Sequence, residues 1–424
     1  MTETPAPTDF KSAFLTTLRD RGYIHQITHP AELDAAAKDG IVSGYIGFDA
    51  TAPSLHVGSL IQIMMLRRLQ QAGGRPVVIM GGGTTKVGDP TGKDASRPQL
   101  TEETIQSNIA SIKTVFEKFL TFGDAPTDAV LIDNDEWLSK YGYIEFLRDY
   151  GTHFTVNRML AFDSVKLRLE REQPMTFLEF NYMLMQSVDF LELNRRWNVT
   201  LQMGGSDQWG NIVSGVDLVR RVDQKAAFGL TTPLLTTASG GKMGKTAQGA
   251  VWLNAEQLSP YDYWQFWRNA EDGDVGRFMK LFTDLPLEEI AGFEALQGAG
   301  INEAKKALAD AATTMLHGAD EAARARARSE GQFERGEVAA LAVYDFLWAG
   351  EDGSFTLRSP EALVKAADIS SIKDAKRSIA NGEVRINGEV VNGSETYERD
   401  QIDPAHGAFL VQKGKKISRL VRPT

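Results

Sequence analysis

Residues 41–60 read Ile-Val-Ser-Gly-Tyr-Ile-Gly-Phe-Asp-Ala-Thr-Ala-Pro-Ser-Leu-His-Val-Gly-Ser-Leu. Ile41–Phe48 is a β-rich run, and Asp49–Ser54 carries the Thr and Pro of a turn. Leu60–Gln71 then takes helical apolar spacing and stops at Gly73-Gly74. This strand–turn–helix unit recurs along the chain. Pro76–Met80 is an apolar run closed by three glycines, Gly81–Gly83. Thr104–Phe122 is amphipathic, with Ile105, Ile109, Ile112, Phe116 and Phe119 on one helical stripe. Val130–Ile132 reads as a strand. Val199–Met203 reads as another, running into Gly204-Gly205 and a helix from about Asp207. Strands alternating with helices indicate an α/β fold with a parallel sheet.

Working outward, Trp137–Trp197 is mostly helical and lies between strands, so it reads as an insertion. After Thr231–Leu235 the strand signal fades, and Leu258–Val343 is a series of helical patterns that includes the Ala/Arg-rich Ala319–Arg328. Gly350–Ser354 reads as a linker. Beyond it lies a compact unit, with a helix around Asp374–Asn381 and a hairpin over Glu383–Val391 turning at Asn387-Gly388. The expected domains are 1–250, with an inserted helical region at about 137–197, then all-α 251–348, then a small α+β unit at 354–424.

Bulk properties set limits. At 424 residues the chain has room for two or three domains. No stretch approaches 18 apolar residues without a charge, so no membrane span or membrane partner is expected. The first residues carry Glu3 and Asp9 and lack an apolar core, so they do not read as a signal peptide; a cytoplasmic protein is expected. With no cysteine and six scattered histidines, disulfides and thiolate zinc are excluded and no protein metal site is expected. A net charge of −10 argues against general charge-driven nucleic-acid binding. The end of the chain is an exception: Val411–Thr424 has Lys413, Lys415, Lys416, Arg419 and Arg422 and no acid.

Five constellations carry chemistry. On a strand through 41–49, Tyr45, Gly47 and Asp49 share one face, and Gly47 leaves room for a ligand against the backbone. Gly58 opens a helix whose N-terminus can hold phosphate through N–H groups and the dipole, with Thr51 and His56 as side-chain donors nearby. Taken alone, this reads first as a buried strand, a Pro turn and a satisfied histidine. The second, Gly88–Arg97, superficially resembles a P-loop. It has three residues between its glycines where Walker A needs four, and Asp94 follows Lys93; a P-loop NTPase is rejected. Third, Tyr182, Gln186 and Asp189 fall on one helical face. Phenol, amide and carboxylate in a row among Met and Phe suit a pocket for a polar ligand. The fourth is Gly204-Gly-Ser-Asp207-Gln208-Trp-Gly-Asn211, a strand-to-helix turn where Asp207 can take ribose hydroxyls. The fifth is Lys242-Met-Gly-Lys245-Thr246, in the Gly/Ser-rich 236–249 stretch, where two lysines could close over a polyphosphate.

Together, in this order and spacing, these motifs resemble the bacterial tyrosyl-tRNA synthetases of class I, over nearly the whole chain. The first matches that family's Gly-Phe-Asp-Pro-Thr-Ala…His-Ile-Gly-His block. Ala50 replaces its Pro, and Ser59 replaces its second His with a shorter donor. The fifth matches Lys-Met-Ser-Lys-Ser, with Gly244 and Thr246 as variants. The resemblance implies a Rossmann-like parallel-sheet catalytic domain with a helical insertion, an all-α anticodon-recognition domain and an RNA-binding tail. It implies tyrosine binding by Tyr45, Asp89, Tyr182, Gln186, Asp189 and Gln208. ATP would be met by Gly47, Asp49, His56, Gly58, Ser59, Gly205, Asp207, Lys242, Lys245 and Thr246. Catalysis would fall to Thr51, His56, Lys93, Arg97, Lys242 and Lys245. Lys376, Arg377, Arg385, Lys413, Lys415, Lys416 and Arg419 would bind RNA, as in a small module shared with a ribosomal protein and pseudouridine synthases. The implied partners are L-tyrosine, ATP with magnesium as substrate, tRNA(Tyr) and a second copy of the chain, with no protein-bound cofactor. The rivals are a tryptophanyl enzyme, an adenylyltransferase of the same superfamily, and a synthetase-derived RNA-binding protein without catalysis.

Overall fold

The computed structural model describes residues 9–90, 100–241, 243–246, 249–333, 342–346, 360–367, 369, 371–395, 397, 401–402, 407–414 and 417–423. The chain forms two compact units that divide at Ala322.

The first unit is built on a six-stranded sheet of β1 (Gln26–Ile27), β2 (Ser43–Phe48), β3 (Arg75–Met80), β4 (Val130–Asp133), β5 (Leu201–Gly205) and β6 (Phe228–Thr232), in the order β1-β6-β5-β2-β3-β4. All neighbours are parallel except β1, which pairs antiparallel with β6. Sheets covered on both faces need near-continuous apolar strands, and Pro76–Met80 in β3 is wholly buried. The covering helices include α1 (Val57–Gln71), α2 (Glu102–Phe119), α3 (Tyr182–Trp197) and α4 (Trp209–Val222). From β2 the chain steps outward to β3 and β4. It then crosses back past β2 to β5 and β6. The junction of β2 and β5 is therefore the topological switch point, where open α/β sheets bind ligands beyond the strand ends.

Element boundaries differ from the sequence reading for local reasons. α1 starts at Val57, three residues before Leu60, because the His56 side chain caps it. β5 starts two residues late, because Asn198 in the left-handed region and the Val199 N–H to Leu193 C=O bond close the end of α3. Between β4 and α3 the chain runs through short helices such as Tyr143–Asp149 and Asp163–Glu170.

Beyond β6, a short hairpin pairs β7 (Lys245–Thr246) with β8 (Gly249–Ala250). A helical segment follows, with α5 (Pro260–Arg268), α6 (Val275–Phe282) and α7 (Ile301–His317). Its core is aromatic: Tyr263, Trp264 and Trp267 of α5 are fully buried, with Phe278 and Phe282 against Trp267. Two arginines of α1 tie this segment to the sheet. Arg67 and Arg68 both reach Asp284 at 2.5 Å, and Arg68 is buried. Burial would raise the Asp284 carboxyl, but the two guanidinium groups outweigh it and hold it at about 2.

In the second unit, β9 (Ala342–Phe346), β10 (Val384–Ile386), β11 (Glu389–Val390), β12 (Phe409–Lys413) and β13 (Ile417–Pro423) form a sheet ordered β11-β10-β12-β13-β9. α8 (Ile372–Ala380) contributes Ala375 and Ile379 to its core, beside Val384, Phe409 and Val411. The β10–β11 turn has Asn387 and Gly388 both at positive φ, as a two-residue hairpin requires. The helical reading of Leu258–Val343 ran too far. The last helix before the tail sheet ends at Phe333, and Ala342–Phe346 is a strand parallel to β13. Its Val343, Tyr344 and Phe346 are strand formers. The linker Gly350–Ser354 lies outside the described residues.

His317, at the end of α7, packs edge-on against Tyr263 at 5.2 Å, and burial pushes its imidazole down to about 4. The unfolded chain takes up this proton near 6.5, whereas the folded chain resists until about 4. The stabilisation is therefore complete above 6.5 and is lost as pH falls toward 4. Urea midpoints measured across that window should fall less steeply for His317→Gln than for the unmodified chain. Parallel curves would exclude His317 as the source.

Candidate active site

At the switch point the ends of β2, β3, β4 and β5 enclose a cavity of about 380 Å³. β2 brings Tyr45, Gly47 and Asp49 to it. The turn after β2 and the start of α1 bring Thr51, His56 and Ser59. α3 brings Tyr182, Gln186 and Asp189, and the turn after β5 brings Gly205, Asp207 and Gln208. Asp89 also lines it. Residues from four separate motifs, spread over 160 positions of sequence from about Tyr45 to Gln208, thus face one space.

One end of the cavity is buried and polar. Asp189 accepts from Trp137 Nε1 at 2.8 Å through one oxygen and from Asn134 Nδ2 at 2.9 Å through the other. Desolvation raises its carboxyl to about 7, against these two hydrogen bonds, which favour the anion. Tyr45 stands beside it. Its buried hydroxyl has no hydrogen-bond partner among the described residues, and burial and then Asp189 raise its ionisation well above the usual phenol range. An acceptor and an orphaned hydroxyl together are what a ligand hydroxyl would satisfy.

The middle is a network. Gln208 Nε2 donates to Asp89 at 2.8 Å, and Asn211 Nδ2 donates to Gln186 at 2.9 Å and to Gln208 at 3.1 Å. Tyr182 and Thr84 hydroxyls both donate to Asp49 Oδ1, at 3.2 and 3.0 Å. Asp49, Asp89 and Asp207 make this part of the cavity acidic, suited to an ammonium group or ribose hydroxyls. At Gly205 a Cβ would lie 2.5 Å from Asp207 Oδ1, so only glycine keeps that carboxylate where it is.

The far end is the α1 N-terminus, and here the sequence reading needs correction. Its N–H groups are already engaged: Val57 donates to Val251 C=O at 2.8 Å, Gly58 to His56 Nδ1 at 3.0 Å and Ser59 to His56 C=O at 2.8 Å. Gly58 does not line the cavity; it permits close packing instead. The Gly244 backbone, at φ +90°, sits against it so tightly that a Cβ on Gly244 would lie 2.8 Å from Gly58 N. Because Nδ1 of His56 accepts, the ring proton of the neutral imidazole belongs on Nε2. Anion contacts at this end must then come from side chains and the helix dipole.

Lys93, Arg97, Lys242, Lys415 and Lys416 lie outside the described residues. Lys245 and Thr246 are in β7. In the tail, Lys376 and Arg377 are exposed on α8. The register separates the remaining basic residues. Arg385 aligns with Gln412 and Ser418, while Arg419 aligns with Ile386 and Val411, and Lys413 with Val384. Arg385 therefore lies on the sheet face opposite Arg419 and Lys413. Sequence reasoning missed Asn134, Trp137 and Thr84. The signal was present: all three follow the ends of β3 and β4, on the ligand-binding edge of the sheet.

The match to known proteins covers most of the chain. Residues 38–334 match the family described as tRNA synthetases class I (W and Y). The chain is 66% identical over 419 residues to a tyrosine–tRNA ligase of Caulobacter sp. strain K31, covering 99% of each. It is 60% identical to that of Zymomonas mobilis, over 98% of this chain and 99% of the relative. Among solved structures, a C-terminally truncated mitochondrial tyrosyl-tRNA synthetase of Aspergillus nidulans matches 76% of this chain and 95% of its own, at 32% identity and a TM-score of 0.69. The chain belongs to the tyrosine–tRNA ligases of the class I tRNA synthetase family.

Proposed function

We propose that this chain activates L-tyrosine with ATP and loads it onto tRNA(Tyr), by the residues the cavity gathers. The tyrosine carboxylate attacks the α-phosphorus of ATP, the bond to the β-phosphate breaks, and the electron pair leaves on pyrophosphate. A terminal ribose hydroxyl of the tRNA then attacks the tyrosyl carbonyl and AMP departs. A carboxylate is already nucleophilic, so orientation and charge stabilisation suffice. ATP enters with magnesium as its counter-ion, both as substrate.

The observation that carries the tyrosine reading is the buried pair of Asp189 and Tyr45. The substrate phenol donates to Asp189 and accepts from Tyr45. Phenylalanine would leave both unsatisfied, a rule for which tyrosyl enzymes are a standard illustration. Asp89, Tyr182, Gln186 and Gln208 take the ammonium and carboxylate. Gly47, Asp49, Ser59, Gly205 and Asp207 take the adenosine, with Gly58 and Thr246 nearby. Thr51, His56, Lys93, Arg97, Lys242 and Lys245 meet the pyrophosphate as charge gathers on it.

The domain assignment follows the same reading: catalysis by 1–250, anticodon recognition by the helices within 251–348, and RNA binding by 354–424 together with β9. The chain works as a homodimer in this proposal. Support comes from exposed apolar side chains concentrated in the insertion: Tyr143, Ile144, Val156, Leu160, Leu169, Phe177 and Leu178, with Ile144 71% and Phe177 66% exposed. Apolar side chains left this exposed are typical of permanent interfaces. Phe146, Phe154 and Met159, singled out from sequence, pack instead on internal clusters. The paired substitution Ile144→Glu with Phe177→Glu should give a monomer by light scattering, where the unmodified chain gives a dimer. A monomeric unmodified chain sinks the proposal.

Amino-acid-dependent exchange of pyrophosphate into ATP, with tyrosine, tryptophan and phenylalanine in turn, tests the activity; tyrosine alone should support it. Asp189→Ala should weaken tyrosine by roughly 1.5–3 kcal/mol, the usual cost of a buried hydrogen bond to a charged group. With the carboxyl at about 7, tyrosine affinity should rise with pH up to that value and level off above it. Asp189→Asn should flatten this profile. An unchanged profile would remove Asp189 from the phenol site.

His56 has two separable tasks. His56→Ala should lose the cap, at about 1 kcal/mol, and slow adenylate formation. His56→Asn should restore the cap and stability without restoring the rate. Full recovery of rate in His56→Asn would reduce His56 to a structural cap.

A further inference from the structure

The Lys242–Lys245 loop leaves β6 through Pro233–Leu235 and forms a compact turn before its signature residues. Thr237 N–H donates to Gly241 C=O at 2.8 Å, Gly240 N–H donates to Thr237 C=O at 2.8 Å, and Gly240 takes φ +85°. This turn is fastened to the start of α6 in the helical segment. Asp274, only 2% exposed, accepts the Ala238 N–H at 2.8 Å through one oxygen and Arg277 at 2.5 Å through the other. Arg277 also donates to the Thr236 carbonyl. Ser239 Oγ donates to Glu271 at 2.6 Å. Gly273 brings the helical segment close, with its Cβ position 3.6 Å from that of Ala238.

A charge this deeply buried is costly unless paired, yet one of its oxygens goes to a loop N–H and not to α6. The segment leading into the turn borders a cavity of about 570 Å³ lined by Pro233, Leu234, Leu235, Gly273 and Arg277. The approach to the turn is therefore loosely packed, and the turn itself is held by the hydrogen bonds and by the contact at Gly273.

We infer that Asp274, with Arg277 and Glu271, anchors the base of this loop and positions its lysines for adenylate formation. Asp274 is a positioning residue, far from the reacting atoms in its action. It acts at one end of the loop, while the seating of Gly244 on Gly58 fixes the other. The inference rests on the proposed role of Lys242 and Lys245. It adds that the helical segment, and not the sheet alone, holds the base of their loop.

The test uses the full chain with three readouts: single-turnover adenylate formation, equilibrium tyrosine binding, and brief trypsin digestion read by mass spectrometry for cuts after Lys242 and Lys245. Asp274→Ala should slow adenylate formation by about tenfold, the scale of one buried hydrogen bond to a charged group. It should speed cleavage at the two lysines and leave tyrosine affinity unchanged. Asp274→Asn keeps an acceptor for Ala238 and should recover most of the rate. Ser239→Ala and Arg277→Gln, at exposed or half-exposed positions, should give smaller shifts in the same direction if Asp274→Ala does not fold. Wild-type cleavage and rate in Asp274→Ala would overturn the inference, as would a loss of tyrosine affinity in step with the rate. If Lys242→Ala and Lys245→Ala themselves form adenylate at the wild-type rate, the role given to the lysines fails instead. Faster cleavage in Asp274→Ala would then still establish the anchor.

Discussion

The structure of the first unit depends on one helix being held at both ends. At its C-terminal end, α1 carries Arg68, buried, with one nitrogen 2.5 Å from Asp284 and another 2.5 Å from the Thr283 carbonyl. At its N-terminal end, the His56 ring caps Gly58, and Val57 is paired with Val251. A buried ion pair contributes little net stability compared with apolar packing, but breaking one partner is costly, so it specifies geometry. α1 can therefore neither slide nor tilt without leaving a buried charge unpaired. The helix that forms one wall of the cavity is in fixed register with the helical segment beyond β6.

The second consequence is electrostatic. A doubly wound sheet turns its strand ends toward one edge, so residues distant in sequence meet there without strain. The same edge has a dry end and a wet end. In the dry end Asp189 is desolvated, and Trp137 and Asn134 offset that cost only partly. A carboxylate in that balance gains from one more donor. At the wet end Thr51 and Asp207 are exposed. On the proposed reading, one cavity thus selects an amino acid by satisfying buried groups and handles charged phosphates where water can reach.

Much of this was legible in the sequence because it rests on local rules. Alternation along Tyr45, Gly47 and Asp49, the i, i+4, i+7 face of Tyr182, Gln186 and Asp189, and the Asn387-Gly388 turn all follow from backbone periodicity and φ preference. The parts that were not legible depend on tertiary partners. Nothing local distinguishes Trp137 from any core tryptophan until β4 delivers it to Asp189. His56 reads as a donor, and Nε2 can still be one, but its Nδ1 is an acceptor because the chain turns back on it. The tail's basic residues share one expected RNA-binding role, yet pairing between β10, β12 and β13 sends Arg385 to one face and Arg419 to the other. Val343 read as helical because its strand partner, β13, lies some 80 residues on.

The use of the α1 N-terminus by the protein itself changes how charge stabilisation has to be built. A helix start usually offers anions several unpaired N–H groups. Here the first three are engaged, one by a side-chain cap and one by the strand that returns from the Lys242–Lys245 loop. What remains is the dipole, which falls off within a turn, and side chains. Side chains on loops lose more entropy on ordering than backbone groups already fixed in a helix. They are effective only where something else holds the loop. Gly244 against Gly58 supplies one restraint, possible because Gly244 has no Cβ, which would lie 2.8 Å from Gly58 N. The hydrogen bonds of Asp274 and Glu271 supply the other. On the proposed reading, preorganisation of the phosphate end lies less in the helix terminus that the sequence advertises than in the two fastenings of the 236–249 loop.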